Sequence, residues 1–169
     1  MKHIKLFFLS LSLVLTFAFG ALAQEVNFTT LGGEKIDLAQ DKGKVVVLAI
    51  GASWLPLSKN QATAINKLKR QYNDQEVVFY SIATDSNVQK SKNYASNEQI
   101  QRFAETNKLT ISILRDSDGA LSVKQYKVDQ LPAFIILDKQ GRVADGPFTG
   151  IDPKSDISEP LAAKINKLL

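Results

Sequence analysis

Ser58 and Lys59 stand side by side where a β-branched run gives way to a helical pattern, and they are this chain's nearest approach to an activated nucleophile. A serine hydroxyl attacks only when a neighbouring base takes its proton. Successive helical residues point about 100° apart, so Lys59 is badly aimed for that task. A pair of carboxylates for glycosidase-type acid and base work has no better footing, because no acids flank this corner. Asp41, Asp85, Asp116, Asp118 and Asp138 all fall in turns or at strand ends. Asp116-x-Asp118-Gly119 has acids two apart before a glycine, but it lacks the ligand spacing and closing Glu of a calcium loop and reads as a turn. The chain has no cysteine, and its single histidine is His3. That excludes thiol nucleophiles, Ser-His-Asp and Cys-His arrangements, thioether-bound haem, and the metal sites built from imidazole or thiolate. Hydroxyl, carboxylate, amine and backbone chemistry remain, and neither a metal nor a cofactor is expected.

His3 belongs to an N-terminal segment that reads as a secretory signal peptide over residues 1–23. Lys2 and Lys5 precede the apolar run Leu6 to Phe19, and Gly20-Ala21-Leu22-Ala23 follows as a small-residue cleavage site. The apolar run, about 14 residues, falls short of the roughly 20 that span a bilayer, so export with cleavage is expected, without a stable membrane anchor. Cleavage leaves a domain over 24–169, which is expected to be periplasmic or extracellular in a bacterium. It lowers the formal charge of +4 by two, and 21 Lys and Arg against 17 Asp and Glu call for neither nucleic acid nor an acidic membrane surface.

The elements that position the corner can be read from pattern. Glu25 to Phe28 and Lys35 to Leu38 form an expected hairpin around Gly32-Gly33. Val45 to Ile50 is apolar without alternation, as in a strand covered on both faces. From Pro56 a helical stripe follows through Leu57, Ala62, Ile65, Leu68 and Tyr72, with Pro56 in the first turn. Val77 to Ala83 is a second apolar strand, and 86–96 a polar loop. A helix capped by Asn97 runs to about Asn107, then a strand from Leu109 to Leu114. After the Asp116 to Gly119 turn come a short helix Ala120 to Tyr126, strands Ala133 to Asp138 and Arg142 to Phe148, and a last helix from about Ile157 to Leu168. The fold class is α/β, a single domain with a central mixed sheet flanked by helices and an N-terminal hairpin.

These residues carry a resemblance. Phe28, Gly33 and Leu38 in the hairpin, Gly43-Lys44 before the central strand, Ser53-Trp54 at the corner, Asp116-Ser117-Asp118-Gly119, Tyr126, and the block Leu131-Pro132-Ala133 through Gly141-Arg142 together resemble the thioredoxin-like redoxin family. The likeness is to its exported branch of thiol-disulfide oxidoreductases and peroxiredoxin-like proteins, and it extends from about Glu25 to the C-terminus. It implies a thioredoxin-like fold and a cis proline at Pro132. It also implies a Cys-x-x-Cys pair directly after Trp54, and those two positions are Leu55 and Ser58. The attacking thiolate and the resolving thiol of that chemistry are both absent. The Glu that many exported members carry three positions further on is Gln61. Leu55, Ser58 and Gln61 are thus vestigial positions with no catalytic role expected.

What the resemblance leaves to the corner is contact. In active relatives the corner and the cis-proline loop hold an extended peptide, and Trp54, Leu55, Pro56, Leu57, Leu131 and Pro132 are the expected peptide-binding residues. Leu55 and Leu57 either project as part of an apolar groove or fold inward to plug the vacated site. The expectation is a peptide or protein partner held without thiol chemistry. The alternatives are an accessory subunit of an extracytoplasmic thiol-disulfide or peroxide pathway, and a purely structural paralogue.

Overall fold

The structure, a computed structural model, describes residues 27–73 and 75–169. The signal segment expected over 1–23 and the expected start of the first strand at Glu25 lie outside these residues. Val45–Gly51 (β3) is buried over its whole length, and its alternation explains why no polar residue interrupts it. Successive side chains on a strand point to opposite faces. Val45, Val47 and Ala49 enter a core shared with Ala64, Ile65 and Leu68 of α1 (Ser58–Gln71) and with Leu161 and Ile165 of α4 (Ser158–Ile165). Val46, Leu48 and Ile50 enter a second core with Phe28, Leu38, Tyr126 and Val128 on the other face. Each face is covered, so both registers must be apolar.

β3 lies between β4 (Val77–Ala83), which runs parallel to it, and β6 (Ala133–Leu137), which runs antiparallel. Beyond β4 lies the parallel β5 (Ser112–Arg115), then β1 (Asn27–Thr30) and β2 (Lys35–Asp37) as an antiparallel hairpin. Beyond β6 lies β7 (Val143–Phe148), antiparallel to it. The order is β2-β1-β5-β4-β3-β6-β7, one mixed seven-stranded sheet. The remaining helices are α2 (Asn97–Thr106) and α3 (Ala120–Tyr126).

Several element boundaries differ from the sequence reading. Helix α2 is capped by Ser96: its hydroxyl accepts from the Gln99 amide, while the Gln99 side chain accepts from the Ser96 amide. That reciprocal box satisfies two end groups where a lone Asn97 would satisfy one. Helix α1 opens at Ser58, with Pro56 and Leu57 in the turn before it. β5 opens at Ser112, where its ladder to Tyr80 of β4 begins, and the apolar Leu109 and Ile111 instead pack on the core beneath α1. Helix α4 is shorter at both ends, Ser158–Ile165.

Candidate functional site

The corner is built where β3, β4 and β6 end or begin together. Ile50 pairs with Ala133 and Gly51 with Ala83, so the chain leaving β3 is flanked by the exit of β4 and the entry of β6. That entry is a cis Leu131–Pro132 peptide, with Pro132 buried. On the β4 side, Asp85 is fully buried and its carboxylate accepts from the Ser53 amide at 3.0 and 3.1 Å and from the Ser53 hydroxyl at 2.6 Å. Arg115 clamps the same region from β5, donating to the carbonyls of Asp85, Ser86 and Ala95 and to the side chains of Asn97 and Ser117.

Ser58 and Gln61, two of the positions expected to have no catalytic role, tie elements together. The Ser58 hydroxyl, buried, donates to the Ala52 carbonyl at 2.7 Å. Gln61, also buried, donates through Nε2 to the carbonyls of Ile50 at 3.2 Å and Ala133 at 2.8 Å. Gly51 makes room for it: a Cβ there would lie 2.6 Å from Gln61 Oε1. An amide can make these two donations and an ionised carboxylate cannot, so the residue type at 61 matches its carbonyl neighbours. Lys59 is exposed while Ser58 is buried with its proton on Ala52, so the two are not brought together as a nucleophile and base.

Behind these residues is a cavity of about 20 Å³, lined by Gly51, Ser53, Ser58, Gln61 and Asp85 on one side and Ile100, Phe103 and Ile113 on the other. A single water needs roughly 10 to 15 Å³. The space therefore admits about one water and no substrate, and Ser53 with its amide and hydroxyl both on Asp85 reads as a latch. The Asp116 carboxylate, in the segment read from sequence as a turn, accepts from the amides of Leu121 and Ser122 at the start of α3.

The accessible feature lies on the outer side of the corner. Trp54 is 51 % exposed and Leu131 half-buried, and the two line one groove of about 210 Å³. Its other walls are Val123 of α3, exposed, and Val128, with Asn93, Asp118, Ser122 and Asp129 supplying polar atoms. Leu55 and Leu57 are half-buried and Pro56 exposed, and none of the three lines this groove. Of the six residues expected to bind peptide, the structure thus brings Trp54 and Leu131 together here, with Pro132 buried behind. The sequence reading missed Val123, Asp118, Ser122 and Asp129, because a short helix after a turn carries no signal of facing a tryptophan some 70 residues earlier.

The sheet order, with β6 antiparallel to β3, and the helix that follows the tryptophan corner define a thioredoxin-like domain. Residues 19–145 match the AhpC/TSA family, and the chain belongs to that family. It is 32% identical over 126 residues to the thioredoxin-like protein YneN of Bacillus subtilis, covering 75% of this chain and 69% of that one. To the thiol-disulfide oxidoreductase ResA of Bacillus thuringiensis subsp. konkukian it is 28% identical over 142 residues, covering 84% of this chain and 76% of that one. A secreted disulfide oxidoreductase of Mycobacterium tuberculosis, homologous to E. coli DsbE, superimposes with a TM-score of 0.64 at 24% identity, over 85% of this chain and 96% of the other, which shows the shared fold. The chain is a redoxin-family member related to thiol-disulfide oxidoreductases, and with no cysteine it has no dithiol to cycle. Among the described residues no helix is long and apolar enough to cross a membrane.

Proposed function

We propose that the protein is an exported, thiol-free redoxin that holds an extended segment of a peptide or protein partner at the corner, in the groove between Trp54 and Leu131. The observation that carries this reading is the division of the corner into two sides. On the inner side Ser58 and Gln61 are tied to carbonyls around a one-water cavity. On the outer side Trp54, Val123 and Leu131 present apolar surface to solvent around an open groove. Half-exposed tryptophan beside exposed valine is costly to leave in water and is what soluble proteins keep for a partner. Export is supported by the charged, apolar and small-residue order of 1–23 and by a secreted structural relative.

Trp54 is the chain's single tryptophan, so its emission reports directly on the groove. Titration of the protein without residues 1–23 with acetylated, amidated peptides of extended, leucine-containing sequence should give a saturating blue shift, abolished in Leu131→Asp. Emission unchanged across the set would overturn the reading. The oxidoreductase names of the relatives favour a second role, as a non-catalytic accessory in a thiol-disulfide or peroxide pathway. That role predicts that the pure protein leaves insulin disulfides and peroxide at background but alters the turnover of an active oxidoreductase added with it.

A further inference from the structure

The groove has a chemistry of its own beyond its apolar walls. Ser122, 1 % exposed, is among the residues lining it, and its buried hydroxyl has no hydrogen-bond partner within the protein. Buried hydroxyls are nearly always paired, and one left unpaired in a residue that lines a groove lies within a small side-chain adjustment of a ligand's polar group. Its rim carries Asp118 and Asp129, both exposed, and among the residues lining the groove there is no Lys or Arg. Asp118 accepts from the Ser86 hydroxyl through one oxygen, at 3.3 Å, and its other oxygen stays available. Two carboxylates without a cation form an acidic spot on a chain whose formal charge is +4, and still positive by two without residues 1–23.

We propose that this groove selects a basic side chain, the guanidinium of an arginine or the ammonium of a lysine in the bound segment, with Trp54 over its stem and Asp118 and Asp129 about its charge. The proposal rests on the reading that the groove holds a partner segment. A purely apolar segment would strip water from both carboxylates and give them nothing in return, and an acidic one would be repelled. A basic side chain satisfies every part at once. Its methylenes lie on Trp54, Val123 and Leu131 while its head stays polar. An indole face attracts the cation, and the carboxylates make charge-assisted hydrogen bonds with it. One of the several N–H groups of a guanidinium is left for Ser122. The volume, about 210 Å³, falls below the 300 to 1,000 Å³ typical of a whole small-molecule site and suits one long side chain.

The test compares two acetylated, amidated heptapeptides, Gly-Ala-Leu-Arg-Leu-Ala-Gly and the same sequence with citrulline for arginine, by Trp54 emission. Citrulline keeps the shape and removes the charge. The arginine peptide should bind roughly tenfold tighter, the order expected of one cation–π contact with one partly exposed ion pair. Because the protein as a whole is cationic, such a preference cannot come from its overall field. The ratio should fall to near one in Asp118→Asn/Asp129→Asn, which keeps the fold because asparagine accepts the left-handed φ of +61° at position 118. It should fall in part in Ser122→Ala, whose hydroxyl supports nothing else in the fold. Equal affinity for the two peptides, or a preference unchanged in the double variant, overturns the basic-side-chain proposal and leaves the groove reading standing. If neither peptide moves Trp54 emission, both fall together.

Discussion

The side-chain amide of Gln61 donates to the main-chain carbonyl of Ala133 at 2.8 Å, joining the first turn of α1 to the strand that follows the cis proline, 72 residues away. Its second donation, to Ile50, closes a three-way tie among β3, β6 and α1. The resemblance implies a proton-moving Glu at this position in many exported members; in this chain the position holds an amide that joins three elements.

Replacing Gln61 by Leu keeps most of the volume and leaves two buried carbonyls short of a donor. Chemical denaturation at pH 7 should show a loss of about 1 to 3 kcal/mol. Gln61→Glu should cost more at that pH, since an ionised carboxylate faces two carbonyl oxygens and donates to neither. Its folded pKa then lies above the unfolded value near 4.3, so its deficit should shrink as pH falls toward 5 and the acid protonates.

Gly51 and Gln61 should be energetically coupled. In Gly51→Ala the new methyl lies 2.6 Å from Gln61 Oε1, and overpacking of this kind costs about 1 to 3 kcal/mol. In a Gln61→Ala background the obstruction is gone, so the second substitution should cost far less than it does alone. A double-mutant cycle read by urea denaturation measures this, and strict additivity would contradict the contact.

The pair Lys67–Asp156 ties α1 to the segment preceding α4. The Lys67 hydrogen bond, followed by those from the Ser158 hydroxyl and amide, holds the Asp156 carboxyl down at about 2. A carboxyl whose folded pKa is depressed gives stability above its unfolded pKa, near 3.9, and loses it as pH falls toward the folded value. Lys67→Met should therefore be less stable than the parent at pH 6, and the gap should close between pH 4 and pH 2. A gap that persists below pH 2 would show that the lysine acts by packing and not through the ion pair.

At the alkaline end Tyr126 takes the opposite part. Burial in the core, with the nearby Asp116 charge, pushes its phenol up to about 12. A phenol raised in the folded state favours folding below the unfolded pKa near 10 and opposes it as pH rises toward 12. Tyr126→Phe should flatten the stability loss in that window, measured as the urea midpoint from pH 9 to 12.

How much of this was legible in the sequence depends on how local each feature is. β3 declared itself because a strand covered on both faces must be apolar in both registers, and Val45 to Ile50 satisfy that within six residues. The corner was legible through Trp54 and Pro132, whose positions carry the family resemblance. The cap of α2 was one residue off because Asn97 and Ser96 are both good caps, and only the partner choices of Asn97, the Leu31 carbonyl and Arg115, remove it from that role. The choice between groove and plug was not legible at all. Leu55 and Leu57, on which it was framed, sit half-buried beside the question, while Trp54 and Leu131 meet Val123 and Ser122 from a distant helix. A surface assembled from separate segments leaves no periodicity in any one of them.

Under the proposed function this corner works by contact on its outer side. The most direct test is amide chemical-shift mapping of 15N-labelled protein during titration with the arginine heptapeptide. Saturable shifts should cluster at Trp54, Ser122, Val123, Asp129 and Leu131, with Ser58 and Gln61 nearly unmoved. Shifts confined to Ser58, Gln61 and Asp85, or absent from the Trp54 groove altogether, would contradict it.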